Sequence, residues 1–253
     1  MDLKGFDAWC RSHLEIDELA GVDDSLNGIQ VGRSAGVVEL VAFAVDACAE
    51  SIRRAAQAGA QVLFVHHGLF WGKPVRVEGA LLERTRLLLG ADLALYACHL
   101  PLDRQPELGN NAVLARLLGL KDIKGFGEFH RVAIGFRGIL DPPLTLDEIV
   151  RRVLPDGSRP RSLIPGRKAG IASAAIVSGG AAMSAIEALA EGIDLYVTGE
   201  PSHSIYHAVM EGGMAFLAAG HYATEVWGVK ALAERLALET GVKTLFIDLP
   251  TGL

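Results

Sequence analysis

Residues 40–68, LVAFAVDACAESIRRAAQAGAQVLFVHHG, decide the fold class. LVAFAVD at 40–46 is a short run of β-forming residues. AESIRRAAQAGA then repeats its apolar residues at helical spacing, and QVLFVHHG returns to strand before breaking at Gly68. The helix finds a natural C-terminal stop at Gly59, and Gln61–Val65 is apolar on both faces, as a strand covered by helices on both sides should be. A strand–helix–strand unit with a parallel pair is expected. The alternation continues through a helix at 81–89, the strand DLALYACH, a polar loop and the helix NNAVLARLLGL.

The second half repeats the first. AAIVSGG, the helix SAIEALAEG and the strand IDLYVTGE echo the opening unit, and an offset of about 133 sets Thr198-Gly199-Glu200 where Val65-His66-His67 stand. At an offset of about 122, DLALYACHLPLD lies over MAFLAAGHYATE, so His99 meets His221 and Asp103 meets Glu225. Apolar strand, histidine, four-residue step and following helix recur in order, which reads as an internal duplication. The expected fold is α/β, two similar domains, the first over 1–126 and the second over 127–253. The join is expected near residues 125–140, within the Gly- and Pro-rich stretch 121–145. DGSRPRSLIPGRKAG at 156–170 reads as an exposed turn cluster.

Length and composition bound the function. The chain has 253 residues, half of them apolar and 21% charged, enough for substantial cores and too apolar for a disordered chain. With 24 basic against 30 acidic residues the net charge is −6, which argues against generic nucleic-acid binding. No apolar run reaches the roughly 20 residues of a spanning helix. The start MDLKGFDAWC lacks a basic segment followed by an apolar stretch, so a cytoplasmic, membrane-free protein is expected. Cys10, Cys48 and Cys98 are odd in number and far apart, unlike a disulfide framework or a CxxC metal site.

Three segments, VLFVHHG, LYACHLPLD and LAAGHYATE, each end an apolar strand in histidine and then supply polar or carboxylate groups. In α/β sheets functional groups gather at the carboxyl ends of the strands. Histidine with carboxylate is a ligand set for zinc, manganese, iron, cobalt or nickel. The tandem His66-His67 can serve one cavity if the chain turns just after Val65, and two adjacent rings suit two ions better than one. Each residue has an ordinary alternative: a lone histidine is usually a hydrogen-bonded structural residue, Glu225 can complement a helix dipole, and Asp103 can be a loop residue in a local turn. The recurrence of histidine and carboxylate in equivalent places favours metal. Gly179-Gly180 lacks the rest of a phosphate-binding motif and reads as close packing. Cys98 should point away from His99 along its strand, which leaves it in the core.

DSLNGIQVG at 24–32, VLFVHHGLFWG at 62–72, YACHLPLDRQPELGNNAVLARLLGL at 96–120, IDLYVTGEPSH at 193–203 and AAGHYATEVWGVKALAERL at 218–236 together resemble the Nif-three-like family. This family is named after NGG-one-interacting factor three, and its members are often called GTP cyclohydrolase I type two homologues. The resemblance implies two similar, intertwined α/β domains with mixed sheets and chain exchange between them, a pair of divalent ions in a cleft, and a homohexamer. Carried over by residue, the metal ligands are His66, His67, Asp103, His221 and Glu225, with Glu225 bridging both ions. His99 and His203 are candidate proton carriers. Glu200 stands where an aspartate is commoner, which leaves its role and that of His203 open. Five protein ligands for two ions leave positions for water, so the implied function is a dinuclear metal-dependent hydrolase in which metal-bound hydroxide attacks a nucleotide. A phosphoesterase, or a non-catalytic ring that carries metal or binds a partner, would use the same ligands. Arg159, Arg161, Arg167 and Lys168 are either a triphosphate-facing group or solvated surface.

Overall fold

The computed structural model describes residues 1–253. The chain divides into two compact units, the first made of residues 1–102 and 229–249, the second of 103–228 and 250–253.

The first unit is a five-stranded mixed sheet. Its strands are β1 (Gly28–Val31), β2 (Leu40–Asp46), β3 (Val62–His67), β4 (Ala94–Ala97) and β11 (Lys243–Phe246), in the order β1-β4-β3-β2-β11. β11, β2, β3 and β4 run parallel, and β1 closes one edge antiparallel. Helices α2 (Ala49–Gln57) and α3 (Gly79–Gly90) return the chain between the parallel strands. α2 starts where Cys48 and Ser51 cap each other's backbone amides and stops at Ala58, followed by Gly59 at φ +74°. Ile52, Ala55 and Leu88 from these helices pack on one sheet face with Ala42, Ala44, Leu63, Val65, Leu95 and Ala97. The other face carries an aromatic row, Phe43, Phe64 and Tyr96, from directly paired positions, with ring centroids 5.2 and 5.7 Å apart. Phe6 of α1 (Leu3–Leu14) meets Tyr96 edge-on at 5.3 Å. Such contacts contribute about 0.5–1.5 kcal/mol each beyond their buried area.

The second unit is a six-stranded mixed sheet in the order β5-β6-β8-β9-β10-β7. Its parallel centre is β8 (Ile171–Ile176), β9 (Leu195–Thr198) and β10 (Ala215–Ala218), joined through α7 (Ala185–Ala190) and α8 (Tyr206–Gly212). β7 (Ser162–Ile164), inside the segment expected to be turns, adds an antiparallel edge beside β10. α5 (Asn110–Leu118) and α6 (Leu146–Val153) cover one face through Leu114, Leu118, Ile149 and Val153; α7 and α8 cover the other through Ala185, Ala188 and Val209. The stretch 121–145, offered by the sequence as the join between halves, is a long hairpin of β5 (Lys121–Phe129) and β6 (Val132–Leu144) within this unit. Its glycines allow close approach: a Cβ at Gly135 would sit 2.1 Å from the Ile176 carbonyl oxygen, and one at Gly138 would sit 2.6 Å from that of Lys121.

A short helix, α4 (Leu100–Arg104), follows β4, and the 20-residue α9 (His221–Thr240) follows β10. No helix is long and apolar enough to cross a membrane. Cys10 and Cys98 are buried, Cys48 is half-buried, and no disulfide forms.

Candidate metal centre

Within the first unit, the histidines stand at the carboxyl ends of β3 and β4, His66 and His67 as the last residues of β3 and His99 two residues past β4. The strand runs on through His67, so the chain turns at Gly68, later than the expected turn after Val65. The two rings still converge, with centroids 4.6 Å apart, because each is tied to a different neighbouring strand end. His66 is buried, with Nδ1 3.0 Å from the Cys98 carbonyl beyond β4; His67 has Nδ1 2.8 Å from Asp46 Oδ1 at the end of β2. Asp46 is the residue paired with His67 in the parallel register. His99 has its Nδ1 2.9 Å from Asp23 Oδ1. One ligand atom from each of His66, His67 and His99 lies within 4.8 Å of the others.

The turn that follows HHG is clamped by Gln30, whose Oε1 accepts the amides of Leu69 and Phe70 at 2.7 and 3.2 Å. A Cβ at Gly68 would sit 2.4 Å from that same oxygen, so only glycine lets the clamp close.

Within the second unit, Asp103 is buried and lies on α4, not in the loop where the sequence placed it. Its Oδ1 accepts hydrogen bonds from Asn110 Nδ2 and Ser178 Oγ, both at 2.9 Å. Asn111 extends this brace, its Oδ1 accepting the Ser178 amide at 2.7 Å and its Nδ2 donating to the Asp103 carbonyl at 3.2 Å. His221, the first residue of α9, has Nδ1 2.6 Å from Glu200 Oε1 and Nε2 3.1 Å from the buried Glu225 Oε1 one turn later. The hydrogen bond to Glu225, with the charges of Glu225 and Glu200, outweighs burial and raises the His221 imidazole to about 9. A cation binding there must displace that proton.

Gly179 makes room for this pair. It has φ +64°, and a Cβ on it would fall 2.3 Å from Glu225 Oε1 and 3.3 Å from His221 Nε2. Its carbonyl accepts the amides of Gly199 and Glu200, and its amide donates to Thr224 Oγ1. The Gly179 turn therefore lies against a carboxylate, not a phosphate cradle.

All four histidines have Nδ1 beside an acceptor of the chain: Asp46, Asp23, Glu200 and the Cys98 carbonyl. Metal-ligating histidines characteristically give one ring N–H to a carboxylate or carbonyl, which fixes the tautomer and presents Nε2. Imidazole and carboxylate donors of this kind suit a borderline divalent cation. Asp46, Asp23, Asn110, Asn111 and Ser178 were not singled out from the sequence, and Gly179 was read only as close packing. Asp46 alone left a readable signal, as the terminal residue of the strand preceding the HH strand. Glu200, whose role was open, occupies the position of His67 in the repeat and braces His221. His203 is exposed on a 3₁₀ turn, His203–Ile205, and takes no part in these hydrogen bonds. Three of the four basic residues at 159–168 are engaged with the chain itself: Arg161 with the Gly252 carbonyl, Arg167 with that of Glu211, and Lys168 with Asp194.

Histidines and carboxylates at the strand ends, each ring braced through Nδ1, define an α/β protein with side-chain clusters able to bind a metal ion. The profile of the family described as Duf34/NIF3 (NGG1p interacting factor 3) matches residues 1–251, and the chain belongs to that family. It is 40% identical to a "GTP cyclohydrolase 1 type 2 homolog" of Treponema pallidum, over 100% of both chains. It is 43% identical to a protein of the same name from Pyrococcus horikoshii, over 94% of this chain and 96% of the other. Among solved structures, it is similar to TTHA1606 from Thermus thermophilus, with a TM-score of 0.89 at 38% identity and all of both chains covered. It also resembles ybgI, titled a protein of unknown function, with a TM-score of 0.91 at 33% identity over all of both chains.

Proposed function

We propose that this chain is a divalent-metal-dependent hydrolase acting on a nucleotide, with His66, His67, Asp103, His221 and Glu225 together holding two ions. The observation that carries the reading is the common bracing of the histidines: four rings in two units, each with Nδ1 at an acceptor of the chain. Bracing of this kind costs conformational freedom and is what a metal ligand or a proton carrier requires. The curated relatives' shared name supplies the nucleotide part of the proposal. When bound, divalent cations acidify water and stabilise negative charge on the attacked group.

The chain's own residues supply the rest. Asp103, held at Oδ1 by Asn110 and Ser178, keeps a fixed carboxylate geometry. Glu200 and Asp46 hold the His221 and His67 rings, and Glu225 brings its charge to His221 Nε2. His99, set beside His66 and His67, moves a proton between water and the leaving group; His203 is a second candidate for that work.

The test is elemental analysis of protein purified without chelator, followed by a screen of GTP, other nucleotides and simple phosphoesters. Two ions per chain and a hydrolysis that chelator abolishes and added metal restores would support the reading. Fewer than about half an ion per chain after metal-replete expression would refute it. A metal-loaded protein inert toward every compound would replace it with a metal-carrying or partner-binding role.

A further inference from the structure

The segment that opens with Asp23 and runs through DSLNGIQVG contributes nothing to the proposed ligand set, yet it is built around one of the histidines. The Asp23 side chain is only 1% exposed and receives four donors. The Ser25 amide and His99 Nδ1 meet Oδ1 at 3.0 and 2.9 Å, and Asn27 Nδ2 and the Leu100 amide meet Oδ2 at 2.8 and 2.9 Å. Asn27 turns its own Oδ1 to the His99 amide at 2.8 Å. His99 is thus held at backbone and ring by two residues more than seventy positions earlier, while Trp71 packs against its ring, centroids 4.9 Å apart and nearly perpendicular.

An ionised carboxylate accepts and cannot donate. The Ser25 and Leu100 amides and Asn27 Nδ2 can only donate, and between them they engage both carboxylate oxygens, an environment that favours the ionised form. A neutral His99 beside it must therefore keep its proton on Nδ1. Its lone pair is left on Nε2, the nitrogen it offers alongside His66 and His67.

We infer that Asp23 is a positioning residue that fixes His99 in the Nδ1–H tautomer, leaving the Nε2 lone pair to accept a proton from water in the site. The inference rests on the hydrolytic reading above. As the oxygen of water bonds to the attacked atom, its proton passes to His99 Nε2, giving an imidazolium held against Asp23. That proton then goes to the leaving nitrogen or oxygen as its bond to the attacked atom breaks, and Asp23 remains ionised throughout.

The test is long-range proton–nitrogen NMR of the histidine rings in full-length, metal-free protein in mildly alkaline buffer, with Zn²⁺ as the probe. In the wild type, His99 should appear as the Nδ1–H tautomer. Asp23→Asn should mix the tautomers, whereas Asn27→Ala, which frees the backbone but leaves the carboxylate, should keep the wild-type form. Adding Zn²⁺ should move the Nε2 resonances of His66 and His67 as bound nitrogens and leave that of His99 unbound. An Nε2–H tautomer in the wild type overturns the inference even if Asp23→Asn fails to fold. So does an unchanged tautomer in folded Asp23→Asn, or a His99 Nε2 that binds zinc with the other two. If Zn²⁺ moves no ring nitrogen, the metal reading fails, and the role of His99 as proton acceptor fails with it, while the Asp23–His99 tautomer is scored separately.

Discussion

Replacing Asp103 in two ways separates its structural work from its proposed ligation. One oxygen, Oδ1, takes both the Asn110 and Ser178 hydrogen bonds. Asp103→Asn can keep that oxygen in place and put an amide nitrogen where Oδ2 stood, so both donors stay satisfied while the negative charge is lost. Asp103→Ala removes the acceptor. A buried donor stripped of its partner costs about 1–3 kcal/mol, and here there are two, both in buried surroundings. Urea unfolding of metal-free protein should therefore show Asp103→Ala destabilised by at least about 1 kcal/mol, with Asp103→Asn within about 1 kcal/mol of wild type. Metal binding should rank the variants differently. Both should lose affinity by at least about tenfold, or about 1.4 kcal/mol, because both lack the carboxylate charge. Isothermal titration with Zn²⁺, or elemental analysis after dialysis, reads that loss. An Asp103→Asn protein that retains wild-type metal affinity would refute the ligand assignment. One as unstable as Asp103→Ala would refute the account of the Asn110–Ser178 brace.

Gly179→Ala should lower both stability and metal content, since its φ of +64° costs about 1 kcal/mol with a side chain and the new Cβ would displace Glu225 and His221; thermal melting and metal analysis measure the two effects. Glu225→Gln should reduce occupancy of both ions, and full metal content in that variant would remove Glu225 from the ligand set. Burial works to raise the Asp194 carboxyl, but Lys168 and the amides of Ala172 and Ser173 hold it below the unfolded value of about 3.9. Its stabilisation is therefore complete above that value and lost as pH falls through the lower folded pKa, so the stability gap between wild type and Asp194→Asn should shrink in acid-unfolding measurements below about pH 4. Light scattering should give a closed homohexamer, and a monomer of 26.9 kDa at micromolar concentration would contradict the assembly expected from the family resemblance.

The parallel cores were legible because their signals are local. LVAFAVD and VLFVHH are apolar on both faces, and a capped amphipathic helix of the right length joins them. The hairpin at 121–144 was not. Its alternation is broken by Gly125, Gly127, Gly135 and Gly138, and two of these exist to let another strand's backbone come close, a requirement set by partners distant in sequence. The candidate site divides in the same way. His66, His67, His99 and His221 announce themselves by ending apolar strands or opening the next helix, but the groups that orient them lie 32, 21, 76 and 21 positions away. Those partners are ordinary aspartates, a glutamate and a backbone carbonyl, and apart from Asp46, which ends the strand before β3, nothing in their own neighbourhoods marks them.

That division has a physical cause. A strand's burial is determined by its own side chains, so its pattern is written where it folds. An imidazole's tautomer is determined by whichever acceptor the tertiary structure brings to Nδ1, and any of several residue types can serve. His66 makes the point, since its partner is a main-chain oxygen that a substitution of Cys98 need not disturb. Asp46 comes nearest to an exception: parallel pairing of β2 with β3 sets it opposite His67, so a carboxylate ending one strand beside a histidine ending the next follows from register alone. Where the sheet itself fixes the pairing, the brace can be read from sequence. Where a loop crosses from elsewhere, as Asp23 does to reach His99, only the folded chain reveals it.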